Sequence, residues 1–354
     1  ILLIAYHFYP ERKVGALRAS YWYRNLPLKL DCNLHVITAN EKSSEENVFF
    51  VPTKENTLIS KLIKDPGLLW KDNIKSFLKN QTDINPDVVI ITGGPFMHFG
   101  LTKWLKSNYN TKVILDYRDP FAVNPGFNNN SIQKLVKKYF ERKFNRSADA
   151  LITVNKYCAS IIALFDSKSN AIIQNGYDES VAVDLAKPNL SDEINFVYTG
   201  KFYFSPDNFV EAIKNTNHVL NYYGSDGAQL KTDNTKDHGL VSYEEALEAI
   251  SKSDVGVIQT YGEDFQSTTK LFDYIRCERP ILIISDRYMN RGSIQDELEG
   301  YPNVFWSKND VSSINEQIQK ITNHEYIKPQ EGASDKYARG YQLDKLLRLL
   351  EDVI

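Results

Sequence analysis

The sequence predicts an α/β protein of two doubly wound domains, each a parallel sheet covered by helices. Short apolar runs rich in β-branched residues alternate with helix-period segments along the whole chain, which is how parallel α/β units read. The alternation is interrupted once, by a polar interval at 178–193 that holds Pro188 and Ser191-Asp192-Glu193, and then restarts. The 354 residues are about twice the usual length of one domain, so each half has a core of its own.

In the first half, strands are expected at 1–6, 34–38, 87–92, 112–116, 150–154 and 171–174, each a short β-branched run. Helical periodicity fills 17–30, 97–107, 131–147 and 157–164 between them. The second series of strands falls at 194–199, 219–223, 237–240, 255–259, 280–285 and 303–306, separated by helices such as 207–215 and 242–252. The tail, 335–354, ends in LDKLLRLLEDVI, a helix with a leucine face. The expected division is therefore a first domain at 1–180, a linker at 181–193 and a second domain at 194–334, with the helix of 335–354 packing back toward the first domain. Two such sheets facing each other place a cleft at the carboxyl ends of their strands, where open sheets bind ligands.

Several classes are excluded at once. Apolar stretches stop short of the ~18 residues a membrane-spanning helix needs. Ile1 to Ala5 has no basic segment before it and no small-residue cleavage site after it, which argues against a signal peptide. Three widely spaced cysteines, Cys32, Cys158 and Cys277, form neither a disulfide framework nor a zinc cluster, and the expected compartment is the reducing cytoplasm. The chain lacks G-x-G-x-x-G after its first strand, G-x-x-x-x-G-K-[ST], H-E-x-x-H and G-x-S-x-G, so dinucleotide oxidoreductases, P-loop nucleotidases, zincins and serine hydrolases lose ground. It also lacks D-x-D. No metal is expected, and a diphosphate site in such a chain must use backbone N–H groups, helix N-termini and Lys or Arg.

Charge is unevenly spread. Residues 1–190 carry 25 Lys and Arg against 18 Asp and Glu, or +7, whereas 191–354 carry 17 against 27, or −10. The excess concentrates at 134–146, KLVKKYFERKFNR, where Leu135, Tyr139 and Phe144 recur at helical spacing beside Lys134, Lys137, Lys138, Arg142 and Lys143. Such a helix is either an ordinary solvated amphipathic helix or one that lies on an anionic membrane surface.

Anion-binding candidates stand at strand ends. Tyr198-Thr199-Gly200-Lys201 closes a strand with a glycine that admits a phosphate and a lysine that supplies charge. Gln266-Ser267-Thr268-Thr269-Lys270 opens a helix, with the hydroxyls as expected caps. Lys270 in the first turn opposes the helix dipole, as a residue facing a bound anion does. Asp273 lies three residues on and on the same face, placed to bridge the hydroxyls of a ribose. In the first half, Gly15 ends the loop after the first strand and Arg18 follows it at the start of a helix. Asp116-Tyr117-Arg118-Asp119 crowds a strand end with charge, either as a self-satisfying Asp–Arg pair or as a site. His98 follows Thr92-Gly93-Gly94-Pro95-Phe96-Met97 near a helix start.

In order along the chain, YPERKVGALRA, LDYRDPF, RSADALITV, IIQNGYD, VYTGK, HGLVSYEEALEAISKSDVGV and TKLFDYIRCERPILI resemble the family 4 glycosyltransferases of the GT-B fold, bacterial surface-polysaccharide type. The resemblance implies transfer from a nucleoside-diphosphate sugar, with uridine the expected base, held by the second domain. The acceptor, a glycan or polyprenyl-diphosphate-linked sugar of capsule, O-antigen or exopolysaccharide, would be held by the first. It implies retention of anomeric configuration, a hexosyl- or N-acetylhexosaminyl-type transfer, and no cofactor, metal or nucleic acid. Carried over by position, Gly15, Arg18, Gly200, Lys201, Thr268, Thr269, Lys270, Leu271 and Asp273 form the donor site. Lys201 and Lys270 neutralise the diphosphate, and Asp273 holds the ribose. The family motif has two glutamates with seven residues between them, yet counting back from Asp273 puts Phe265 at the first acid's position, and Asp264 substitutes if the loop is one residue longer.

Breaking the anomeric C–O bond builds negative charge on the departing diphosphate, which the lysines and helix N-terminus stabilise. The leaving phosphate oxygen itself accepts the acceptor's proton on the same face. Asp119, His98 and Arg118 are then the expected catalytic residues, as groups that orient the acceptor or pair with a phosphate. Three other readings share this architecture: a sugar-nucleotide epimerase, a sugar-binding protein, and a degenerate transferase that acts as a scaffold. The last is suggested by the departures at Phe265 and Asp273.

Overall fold

The computed structural model describes residues 1–11, 14–53, 63, 65–124, 130–230, 232–287 and 291–354. It divides into two units, Ile1–Asn175 with Tyr341–Ile354, and Gly176–Gly340.

The first unit holds β1 (Leu2–Ala5), α1 (Val14–Lys29), β2 (His35–Thr38), β3 (Val48–Phe50), α2 (Gly67–Lys79), β4 (Val88–Thr92), a single-turn 3₁₀ segment (Met97–Leu101) and α3 (Thr102–Tyr109). After these come β5 (Lys112–Tyr117), α4 (Ser131–Ser147), β6 (Ala150–Thr153), α5 (Lys156–Ile161) and β7 (Ser169–Ile172). Its seven strands run in the order β3-β2-β1-β4-β5-β6-β7, all parallel, with Leu2 registered on His35 and on Val89. β4 is buried at every position, so it reads as an unbroken apolar run. Val48–Phe50 and Gly67–Lys79 were not expected. The strand is only three residues long, and the helix starts on Pro66 without a side-chain cap to announce it.

The second unit holds β8 (Asn195–Thr199), α6 (Asp207–Ile213), β9 (Val219–Tyr223), β10 (Thr235–Asp237), α7 (Tyr243–Lys252), β11 (Val255–Thr260) and α8 (Thr269–Arg276). It continues through β12 (Ile281–Ser285), α9 (Ser293–Glu297), β13 (Val304–Lys308) and α10 (Val311–Thr322). Six parallel strands run β10-β9-β8-β11-β12-β13. In both sheets the strand order reverses beside the unit's first strand, between β1 and β4 and between β8 and β11. The loops leaving the carboxyl ends of those strands diverge there and open a crevice.

The interval 181–193 is not a free tether. Val181 and Val183 pack on the second core, Leu190 is part of it, and the Asn189 N–H donates to buried Asp254 at 2.7 Å. The division between units therefore falls after Asn175 rather than at 180.

The final helix, α11 (Arg339–Val353), buries Leu343, Leu346, Leu349, Leu350 and Val353 in the first core, against Leu3, Trp22, Leu26 and Ile173. Lys29 pairs with its Asp344 at 2.5 Å, and Gln342 accepts the Gln174 N–H at 2.9 Å. Every third or fourth residue of α11 thus contributes to that core, which is the leucine face seen in the sequence.

Candidate functional site

In the second unit, Gly200 leaves β8 with φ +81°, a left-handed turn that glycine adopts without strain. The loop after it is fixed by buried Gln259 on β11, whose Oε1 accepts the Tyr203 N–H at 3.0 Å and the Tyr198 hydroxyl at 3.4 Å. Asp226 accepts the Phe202 N–H at 3.2 Å. Lys270 reaches back from α8 onto this loop: a Cβ built on Gly200 would lie 3.5 Å from its Cε and Nζ. Its ammonium sits 4.9 Å from the Tyr198 ring centre and 5.3 Å from that of Tyr203. Among the described residues it makes no hydrogen bond or ion pair. Burial pushes its pKa down to about 8, against an upward pull from Asp273.

Asp273 lies one turn further along α8. Burial raises its pKa to about 6, opposed by the Tyr243 hydrogen bond and by Arg339, Arg276 and Lys270. Tyr243 Oη donates to its Oδ1 at 2.6 Å. The N-terminus of α8 is open: Thr268, the residue at its cap, is buried but makes no capping bond, and the Ser267 hydroxyl donates instead to Glu297 at 2.9 Å. The expected hydroxyl cap is thus absent, and the Leu271 N–H donates instead to the Thr268 carbonyl at 3.3 Å.

Other expected donor residues divide. Lys201 is exposed beside Gly200, Thr269 is partly buried at the start of α8, and Asp264 is exposed with no side-chain partner among the described residues. Leu271 is a core residue, fully buried with Phe272 and Tyr274, because α8 turns that side to the sheet. Its side chain is not part of the site. Glu263, the neighbouring acid, is paired with Arg287 at 2.9 Å. Sequence reasoning missed Tyr243, Tyr198 and Tyr203, since no spacing rule ties them to Lys270 or Asp273. It also missed the stack of His238 on Tyr223, with ring centres 4.4 Å apart and planes 6° apart.

In the first unit, Arg118 leaves β5 and crosses the β1/β4 switch point. Its Nε and Nη2 donate to Gly93 O at 3.1 and 2.8 Å. A Cβ on Gly15 would come within 3.0 Å of Nη1 and Nη2, and one on Gly94 within 2.7 Å of Nη2. The guanidinium therefore lies in a cradle of glycine backbone, with exposed Asp119 as the next residue.

Two expected site residues are structural. Arg18 is buried, with Nη1 on Asp116 Oδ1 at 2.7 Å and Nη2 on the Ile173 carbonyl, so it joins α1 to β5 and β7 rather than facing a ligand. Asp116 is paired with Arg18 and not with Arg118. His98 is fully buried, donates from Nε2 to Thr92 O at 3.0 Å and meets the Trp70 ring at 5.1 Å. Burial drives its pKa down to about 3, so it is a neutral core histidine and not an acid, base or acceptor contact. Among the described residues, no group of three or more His, Cys, Asp or Glu side chains converges as metal ligands would.

No protein-family model and no curated protein matches the chain. Solved structures do. HepE of Anabaena, in complex with UDP-glucose, superposes with a TM-score of 0.65 over 99% of both chains at 11% identity. The chain has the GT-B fold. AviGT4, a glycosyltransferase involved in avilamycin A biosynthesis, gives 0.58 over 99% of this chain and 97% of its own at 11% identity. The UDP-GlcNAc 2-epimerase of Methanocaldococcus jannaschii, in complex with UDP-GlcNAc and UDP, gives 0.57 over 99% of both at 13%. At such identities the likeness is one of fold, and GT-B scaffolds hold more than one chemistry.

Proposed function

We propose that the chain is a retaining, metal-independent glycosyltransferase of the family 4 kind. It moves a hexosyl or N-acetylhexosaminyl group from a UDP-sugar to a glycan or lipid-linked acceptor in bacterial surface-polysaccharide synthesis. The observation that carries the reading is Lys270: an ammonium held against the Gly200 turn with no hydrogen-bond or ion-pair partner among the described residues, at a helix N-terminus without a side-chain cap. A cation so placed is completed by an anion, and a diphosphate brings enough oxygens for Lys270 and the α8 N–H groups together. The UDP-glucose bound to HepE supports the choice of uridine.

In this mechanism Asp273, held by Tyr243, accepts hydrogen bonds from the ribose hydroxyls, and Lys201 adds charge at the edge of the diphosphate. The bond from the anomeric carbon to the phosphate oxygen breaks as the acceptor oxygen bonds to the same face. The acceptor's proton passes to the departing phosphate oxygen, leaving UDP. Lys270 and the α8 dipole stabilise the charge that builds on that group, which is the interaction that strengthens in the transition state. Arg118, cradled by Gly15, Gly93 and Gly94, and exposed Asp119 are assigned to the acceptor, the guanidinium taking a phosphate or hydroxyl and the carboxylate orienting the nucleophile.

The test is a panel of UDP, GDP and CMP sugars with a polyprenyl-diphosphate sugar acceptor, read by nucleotide release and by the anomeric proton coupling of the product. Transfer with retention from a UDP-sugar, lost in Lys270→Met, is expected. Conversion of the UDP-sugar to its epimer without acceptor would replace this reading with the epimerase one, and no turnover of any donor would leave the scaffold.

A further inference from the structure

α4 is built inside out for a helix of a water-soluble surface. At about 100° per residue, its buried side carries Lys137, Glu141, Phe144 and Asn145. The opposite side carries Ile132, Leu135, Val136 and Tyr139, which are 73%, 70%, 37% and 62% exposed. Around these four stand Lys138, Arg142, Lys143 and Arg146, all exposed, while Lys134 is exposed on the side of the buried residues. Among the described residues none of these five charged groups has an ion pair or hydrogen bond. The helix's one acid, Glu141, is buried and accepts the Ala163 N–H at 3.0 Å; burial raises its pKa, opposed by that bond and by Lys138 and Arg142. Lys137, expected from the sequence among the outward cations, is buried with its ammonium 5.1 Å from the Phe121 ring centre. Beside the helix, Ile161 and Leu164 are 39% and 38% exposed and line one surface depression with Lys138, Arg142, Glu141 and the exposed Asp166.

The geometry points to α4 as a docking surface for an anionic lipid bilayer, with Ile132, Leu135, Val136 and Tyr139 inserted among the headgroups and Lys138, Arg142, Lys143 and Arg146 on lipid phosphates. Exposed apolar residues at the centre of the face of a helix that carries unpaired cations and no exposed acid fit an interface that is oily below and negative above. Nucleic acid would use the cations and leave the apolar side chains in water, and a protein partner gains nothing from a field of one sign this dense unless it is itself acidic. The crossover from β5 to β6 runs α4 back along the sheet, so its apolar N-terminal half lies toward the carboxyl ends of the strands, the end that carries Arg118 and Asp119. An acceptor with a lipid tail would be met at that end. The surface stands independently of the donor-site reading.

The experiment is co-sedimentation of the full chain with vesicles of phosphatidylcholine alone and of phosphatidylcholine mixed with phosphatidylglycerol, with no nucleotide present. Binding to the mixed vesicles only, weakened by salt, is expected. Changing Lys138, Arg142, Lys143 and Arg146 together to Gln should lower the partition coefficient by roughly fivefold per cation, a loss of about two orders of magnitude or more. Changing Ile132, Leu135 and Tyr139 to Ser should lower it by roughly tenfold or more while leaving the salt dependence in place. Tyr139→Trp should show a blue-shifted emission on binding that brominated lipid quenches. All of these side chains are solvent-exposed, so the variants keep the wild-type melting temperature, which is checked. Absence of binding to the mixed vesicles overturns the proposal. So does binding unchanged by the Ser variant with no blue shift, the result expected if the patch only attracts polyanions, in which case a single-stranded oligonucleotide would compete.

Discussion

Donor binding should weaken as pH rises through about 8, because the cation that receives the diphosphate is one whose charge burial has made easy to lose. Lys270 has its pKa lowered to about 8, chiefly by burial. At pH 7 roughly nine tenths of the free protein therefore carries the ammonium, and at pH 9 roughly one tenth does. A bound diphosphate holds the proton in place, so the affinity for UDP should fall roughly tenfold between pH 7 and pH 9 and change little below pH 7. The same group gives the opposite sign in the stability of the unliganded protein. Between about pH 8 and 10.4 the unfolded chain keeps a proton that the native chain has released, so stability rises with pH across that window. Calorimetric titration of UDP at pH 7, 8 and 9 should be run on the wild type and on Lys270→Met, which subtracts any titration of the nucleotide. The variant should bind roughly tenfold or more weaker at pH 7, as loss of a charge-assisted hydrogen bond requires, and should not weaken further with pH. Parallel pH curves for the two proteins would refute the placement of Lys270 on the diphosphate.

Four shorter expectations come from the same geometry. Asp273, with its pKa raised to about 6 mainly by burial, binds a proton in the native state that the unfolded chain has lost between about pH 4 and 6. Urea titrations should therefore show the stability of the wild type relative to Asp273→Asn declining as pH rises through that window. Tyr243→Phe removes the 2.6 Å bond to Asp273 and should cost about 1 kcal/mol of stability, with a several-fold rise in KM for the donor. Gly15→Ala keeps an ordinary helical backbone but crowds the Arg118 Nη atoms, so melting should be nearly unchanged while transfer falls about as far as in Arg118→Ala. His98→Ala should lose roughly 2–4 kcal/mol in chemical denaturation, with kcat preserved in whatever protein folds, as a core residue requires.

The elements were legible because burial on both faces of a parallel sheet leaves unmistakable apolar runs, as in β4 and β12. Both switch points follow from that pattern. The site was legible only where chemistry is written locally. Lys270 and Asp273 lie three residues apart on one short helix, and Gly200 is marked by its strand end. Arg18 and His98 carry the same kind of signal, a polar residue near a strand end. They proved to be core groups because their partners, Asp116, Ile173 and the Thr92 carbonyl, come from segments whose approach no local spacing records. Tyr243, which meets Asp273 from thirty residues away, was hidden for the same reason. Leu271 shows the reverse failure, since it sits inside the motif and yet faces the sheet.

The last helix has a consequence for how the protein is made. Leu343, Leu346, Leu349, Leu350 and Val353 complete a core whose other members are all in place by Ile173. At synthesis rates of about 5–20 residues per second, a nascent chain waits roughly ten to thirty seconds between finishing β7 and delivering α11. Throughout that interval the second unit is being synthesised, out to Gly340, while the first presents the oily seat of a helix not yet translated. The part encoded first is thus the part that matures last. A chain cut between Gly340 and Leu343 would release a complete second unit tethered to an unfinished first.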